Sequence, residues 1–194
     1  GGVSTLVGNG IGVYVRDANS LITSSGGNVH VTGQGSASAS TQDNYGVFVF
    51  SNGKITAGSS GTVTVQGTGG VAGASNHGVF VHGNGASATI TSSGGAVQVT
   101  GQGTGTGAQN HGVVLYQAGV ISAGGSGTVT VQGTPSGLGL CYGVSVSEVN
   151  STITSSGGNV QVTGLEGSVA LGAGINITTS AAITTATNGG NIAL

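Results

Sequence analysis

The chain has 194 residues, 43 of them glycine, and only six formally charged side chains (two Lys or Arg, four Asp or Glu), for a net charge of −2. So few cations exclude a nucleic-acid binder, which must neutralise phosphate. No apolar run approaches the ~18 residues of a membrane-spanning helix, and the regular apolar pattern with small net charge excludes a disordered linker.

Residues 1–11 read as the end of a coil. From Gly12 onward a three-beat phrase recurs six times. The first beat is a glycine followed by alternating apolar residues. Its inward positions are Val13 and Val15, Val47 and Val49, Val79 and Val81, Val113 and Leu115, Val144 and Val146, and Ile175 and Ile177. The second beat is an isoleucine before a hydroxyl residue, at Ile22, Ile55, Ile90, Ile121, Ile153 and Ile183. The third is an apolar pair after a Gly turn: Val29 and Val31, Val63 and Val65, Val97 and Val99, Val129 and Val131, and Val160 and Val162, with Ile192 opening the last. The isoleucines are spaced 33, 35, 31, 32 and 30 residues apart. A period in this range signals stacked repeats.

Alternation with period two, rich in β-branched residues, predicts half-buried strands. Three short strands cannot bury their inner side chains alone, but stacked coils form one continuous column. The expected fold is all-β: a parallel β-helix, or β-solenoid, with three strands per coil and about six coils. The coils fall near 12–45, 46–77, 78–111, 112–142, 143–173 and 174–194, within a single repeat domain over 1–194. The last coil stops within its third beat, so the segment is expected either to belong to a longer rod or to stack head to tail with copies of itself. A finer alternation divides the coils. Odd coils carry Val-x-Val-Thr-Gly in the third beat, and even coils carry Gly-Thr-Val-Thr-Val-Gln-Gly. The unit of duplication is then a pair of coils.

In a parallel stack, equivalent positions form columns. Asn44, Asn76 and Asn110 align just before the recurrent glycine, and stacked amides can bond along the rod axis. Tyr45, His77, His111 and Tyr142 follow in the next column, which makes His77 and His111 neighbours. A zinc site would need further ligands that the pattern does not supply. Outward positions of the first strand collect Tyr14, Phe48 and Phe80, then Phe50, His82 and Tyr116. An apolar patch of this kind marks a contact surface. A covering loop, a neighbouring rod or sugar rings could occupy it. A hydroxyl column (Thr23, Thr56, Thr91, Ser122, Thr154, Thr184) suggests ice binding as a minor alternative. The single Cys141 reads as a packed thiol, with an interchain disulfide as the alternative.

Acid–base catalysis on a β-helix needs clustered carboxylates or cations on one face. The six charges here are scattered over different coils, so the expectation is a non-enzyme with no catalytic, cofactor or metal site.

The phrases Gly174-Ile175-Asn176-Ile177-Thr178-Thr179, Ala182-Ile183-Thr184-Thr185 and Gly189-Gly190-Asn191-Ile192 resemble the rod region of filamentous-haemagglutinin-like adhesins and related giant bacterial surface exoproteins. The resemblance implies a right-handed coil, export to the cell surface or beyond it, and a spacer or fibre role. Its expected partners are copies of the chain or flanking solenoid repeats, with surface glycans as an alternative. It implies no functional residue, nucleic-acid partner or membrane span.

Overall fold

A computed structural model describes residues 10–37, 42–167, 172–186 and 189–194. It contains eighteen strands and, among the described residues, no helix. The first coil holds β1 (Val13–Arg16), β2 (Leu21–Ser24) and β3 (Val29–Gln34). The second holds β4 (Val47–Phe50), β5 (Lys54–Ala57) and β6 (Val63–Thr68). The third holds β7 (Val79–His82), β8 (Ala88–Ser92) and β9 (Val97–Gln102). The fourth holds β10 (Val113–Tyr116), β11 (Gly119–Ala123) and β12 (Val129–Thr134). The fifth holds β13 (Val144–Ser147), β14 (Thr152–Ser155) and β15 (Val160–Gly164). The sixth holds β16 (Ile175–Thr178), β17 (Ala182–Thr185) and β18 (Ile192–Ala193).

Every third strand pairs, giving three six-stranded sheets: β1-β4-β7-β10-β13-β16, β2-β5-β8-β11-β14-β17 and β3-β6-β9-β12-β15-β18. All pairings are parallel and in register with the repeat, as in Val47 beside Val79 and Ile55 beside Ile90. The chain is therefore a three-sided β-solenoid, and six coils, each about 4.8 Å thick, make it about 29 Å long.

The interior is a dry aliphatic column. On the first sheet Val47, Val49, Val79, Val81, Val113, Leu115, Val144 and Val146 are fully buried. On the second, Ile55, Ile90, Ile121 and Ile153 are fully buried as well. The third contributes Val63, Val65, Val97, Val99, Val129, Val131, Val160 and Val162, all buried. Each such side chain contributes about 1.5–3 kcal/mol on leaving water. The predicted inward positions thus hold through the middle coils, and the two end coils depart from them by degrees. In the first coil Val15, Val29 and Val31 are buried, while Val13 and Ile22 are only half-buried against the column. In the sixth, Ile175 and Ile183 are half-buried, and Ile177 and Ile192, expected in the core, are 41% and 45% exposed. Ile177 and Ile192 are aligned with core positions of the fifth coil, Val146 and Val160, but no further coil of the described residues lies over the sixth.

The periodicity of the third beat conceals a tight corner. In Val97-Gln98-Val99-Thr100-Gly101, the third inward position is Gly101. A Cβ there would lie 2.1 Å from the carbonyl oxygen of Gly112. Gly33, Gly67 and Gly133 meet Gly46, Gly78 and Gly143 in the same way. The chain leaves the third sheet and enters the first at this point, and only a residue without a side chain lets the two backbones approach.

The second sheet buries a small-residue column that the periodicity did not reveal. Ala57, Ser92, Ala123 and Ser155 all point inward. The serines are hydrogen-bonded: Ser155 Oγ donates to Gly127 O at 2.7 Å, and Ser92 Oγ donates to Gly95 O. Gly158 N–H in turn donates to Ser155 Oγ at 2.9 Å. Odd coils thus tolerate a buried hydroxyl because the adjacent Gly turn satisfies it.

Candidate functional site

The first sheet and the turn leading into it carry the chain's unusual side chains. Four columns run side by side along the rod. The innermost holds Asn44, Asn76 and Asn110, all fully buried. Asn44 N–H donates to Asn76 Oδ1 at 2.9 Å, and Asn44 Nδ2 donates to the same oxygen at 3.0 Å. Asn76 N–H donates to Asn110 Oδ1 at 2.8 Å, and Gly10 N–H donates to Asn44 Oδ1 at 2.7 Å. Each asparagine therefore accepts the main-chain N–H of the preceding coil, as an axial amide ladder predicts. Just before the fifth coil the position belongs to Cys141, a buried free thiol that faces Leu138 O at 3.7 Å.

The next column works in the opposite direction. His111 N–H donates to His77 Nδ1 at 3.4 Å, and Tyr142 N–H donates to His111 Nδ1 at 2.8 Å. Each histidine thus accepts from the following coil. An accepting Nδ1 requires the neutral ring with its proton on Nε2. Burial pushes both rings down, His111 to about 4 and His77 well below its ordinary range, with the neighbouring His111 adding to the shift at His77. Asparagine oxygens and histidine nitrogens together tie each coil to the coils on both sides of it.

The rings of this column stack face to face. Tyr45 lies on His77 at 5.3 Å, His77 on His111 at 5.0 Å, and His111 on Tyr142 at 5.1 Å. Their planes differ by 6°, 10° and 15°. Tyr45 Oη donates to Asp43 Oδ1 at 3.2 Å. Burial first, and the Asp43 charge second, push the phenol up.

The outward aromatic column forms the second stack. Tyr14 lies on Phe48 at 4.9 Å and Phe48 on Phe80 at 5.0 Å, with planes 4° and 10° apart. Tyr45 and His77 pack edge-on against this stack: Tyr45 touches Phe48 and Phe80, and His77 touches Phe80. This corrects the expected contact surface. Phe48 is 8% exposed and Phe80 half-buried. Neighbouring rings enclose Phe48, because residues spaced at the strand separation must cover one another's faces. The loop from Ser36 to Asn44, a candidate cover for this face, lies partly outside the described residues, at 38–41.

Exposure is greatest at the end of the second stack, and a further column beside it is half-buried. Tyr14 is 42% exposed, with the Arg16 guanidinium 5.5 Å from its ring centre and Arg16 paired to Asp17 at 3.1 Å. Phe50, His82 and Tyr116 are half-buried and meet at steep angles, 71° for both Phe50–His82 and His82–Tyr116. His82 Nε2 lies 3.0 Å from Gln117 Oε1.

The hydroxyl column of the second sheet is in register, with Thr91 Oγ1 2.8 Å from Ser122 Oγ and Thr184 donating to Thr154 Oγ1 at 3.0 Å. Its companion column is irregular: Lys54 lies beside Leu21 and Thr89, and Val120 beside Thr152. Among the described residues, no group of three or more His, Cys, Asp or Glu side chains could hold a metal ion. No protein family, curated protein or solved structure matches the chain.

Proposed function

We propose that this chain is a structural, non-enzymatic rod segment of an extracellular or cell-surface fibre, continued axially by further coils or by copies of itself. The observation that carries this reading is the use of the polar side chains. The buried asparagines and histidines are engaged in bonds between coils, so the residues best suited to a reactive site instead resist separation of the stack. Parallel backbone ladders on all three sides add to that resistance. The pattern resemblance to exported giant repeat proteins supports the surface location.

Glycan binding through the aromatic face is the weaker reading. Sugar rings pack on aromatic faces, and Tyr14, Phe48 and Phe80 spend theirs on one another.

Electron microscopy of the purified chain across a concentration series tests the rod reading. Thin particles that lengthen end to end, with an axial spacing of about 4.8 Å, are the expected result. Compact particles that never elongate, combined with binding to a polysaccharide array, would overturn it.

A further inference from the structure

The third sheet presents a surface that neither the rod reading nor the aromatic columns explain. Apart from His30 on β3 and Ala193 on β18, its outward side chains are threonine and glutamine, and the strand register arranges them as a checkerboard. The central column runs Thr32, Gln66, Thr100, Gln132, Thr163. The flanking columns have the opposite phase. Thr64 and Thr68 stand either side of Gln66, and Gln98 and Gln102 either side of Thr100. Each long amide side chain is therefore surrounded by short hydroxyl side chains, along the rod and across it. The two-coil sequence alternation is what produces this: the first and third coils read Val-x-Val-Thr-Gly-Gln, the second and fourth read Val-Thr-Val-Gln-Gly-Thr, and the fifth departs only at its end, where Leu165 replaces the last Gln.

The surface is uncharged. None of the six formally charged residues lies on β3, β6, β9, β12 or β15, and His30 is the one titratable side chain there. Gln66, Gln98, Thr100, Gln102 and Gln132 are exposed, and Thr64 and Thr130 half-buried. On this face Thr32 Oγ1 lies 3.2 Å from His30 Nε2, whereas the hydroxyls of the second sheet pair partly with one another.

We infer that this face docks on the same face of a second copy of the chain, with the two rods antiparallel. The argument is the symmetry of the pattern. A two-fold axis lying along the strand direction between β6 and β9 turns the face over, reverses the order of coils, and keeps each column opposite itself. Coil two then meets coil three, and coil one meets coil four. Gln66 stands over Thr100 of the second copy, Gln98 over Thr64, Gln102 over Thr68, and Gln132 over Thr32. Every bump meets a well, and every amide meets a hydroxyl able to donate and accept. The contact is closed and isologous. Shifting the register by one coil puts amide on amide and hydroxyl on hydroxyl, so the pattern also selects against the neighbouring register.

The size sets the strength. Four strands by six residues cover about 19 Å by 20 Å, which is ~400 Å² on each copy and well under the ~800 Å² of a standard interface. The pairing is therefore weak for this chain and grows with every added pair of coils. The inference rests on the rod reading, because only a stacked rod repeats the face at a fixed spacing.

Cysteine trapping tests the register. Thr32 and Gln132 lie three strand spacings apart, about 14 Å, too far for a disulfide within one chain. Under mild oxidation, Thr32→Cys/Gln132→Cys should give a covalent dimer. The off-register pair Thr32→Cys/Thr100→Cys should stay monomeric. Adding Gln66→Lys and Gln98→Lys, both at exposed positions, to the first pair should abolish the dimer with the melting curve unchanged. Equal trapping of both cysteine pairs, or no trapping of either in folded protein, overturns the proposal. Circular dichroism on the same samples separates this outcome from failure of the rod itself, which would appear as loss of the β signal and of a cooperative melt.

Discussion

His111 lies on His77 with ring centres 5.0 Å apart and planes 10° apart, and its own N–H donates to the His77 Nδ1 beneath it. One pair of rings thus combines a stacking contact with a main-chain hydrogen bond between coils. The ring can accept that bond only while it is neutral.

The rod should consequently lose stability in acid. Burial depresses both histidines in the folded chain, His111 to about 4, whereas the unfolded chain titrates near the ordinary value of 6.5. As pH falls below 6.5, the unfolded state takes up protons that the folded state refuses. The contribution is complete above pH 6.5 and disappears as pH falls toward 4, with His111 accounting for about 3 kcal/mol. Thermal melts between pH 7 and about 4 measure this. His111→Gln should flatten the profile relative to the parent chain, and the difference between the two removes the contribution of the carboxylates. Superimposable profiles would show that the ring does not couple to folding.

Removing an amide from the buried ladder should cost more than removing one from the surface. Asn76→Ala leaves Asn44 N–H without its acceptor inside the rod, a loss of about 1–3 kcal/mol. Asn28 Oδ1 also accepts an N–H from the next coil, that of Thr62 at 3.0 Å, but in an exposed setting where water can replace it. Asn28→Ala should fall at the low end of that range or below it. Urea unfolding of the two variants measures the difference, and equal midpoints would remove the argument for the buried ladder.

Glycines with the same local appearance should differ sharply. At Gly101 a Cβ would sit 2.1 Å from Gly112 O, whereas at Gly27 it would meet nothing within 4 Å. Gly101→Ala should destabilise by ~3 kcal/mol or more, since backbone at this corner has little room to yield. Gly27→Ala should be neutral or slightly stabilising. Paired melting curves decide this, and a tolerated Gly101→Ala would show that the corner is looser than the geometry requires.

Phe48 should behave as a core residue despite its outward position. Phe48→Ala should cost about 3 kcal/mol, because rings cover both of its faces. Tyr14→Ala, at an exposed site, should cost much less. A Phe48→Ala variant with an unchanged melt and weakened rod association would return this ring to the contact surface.

The repeat, its three beats and the inward aliphatics were legible because alternation with period two is a local property. Val63, Val97 and Ile121 declare their side of the strand from two or three neighbours. The asparagine ladder was legible for a related reason: Asn44, Asn76 and Asn110 occupy one place relative to the recurrent glycine. The histidine nitrogens as acceptors, and the opposite polarity of the two ladders, were not legible. They depend on which atom of a ring faces which coil, and no spacing encodes that. The buried Ser92 and Ser155 were missed because their hydroxyls resemble those of a surface turn until the Gly turn closes on them.

By itself, the sequence determined a three-beat β-solenoid, its inward positions and its paucity of charge, since strand alternation and composition are properties of the chain alone. Only the tertiary structure decided which side chains share a face across coils. The coils differ in length, from 30 to 35 residues between isoleucines, and the hydrogen-bonded register absorbs those differences in the loops. That register buries Phe48 between two rings and turns two alternating sequence phrases into the threonine–glutamine checkerboard.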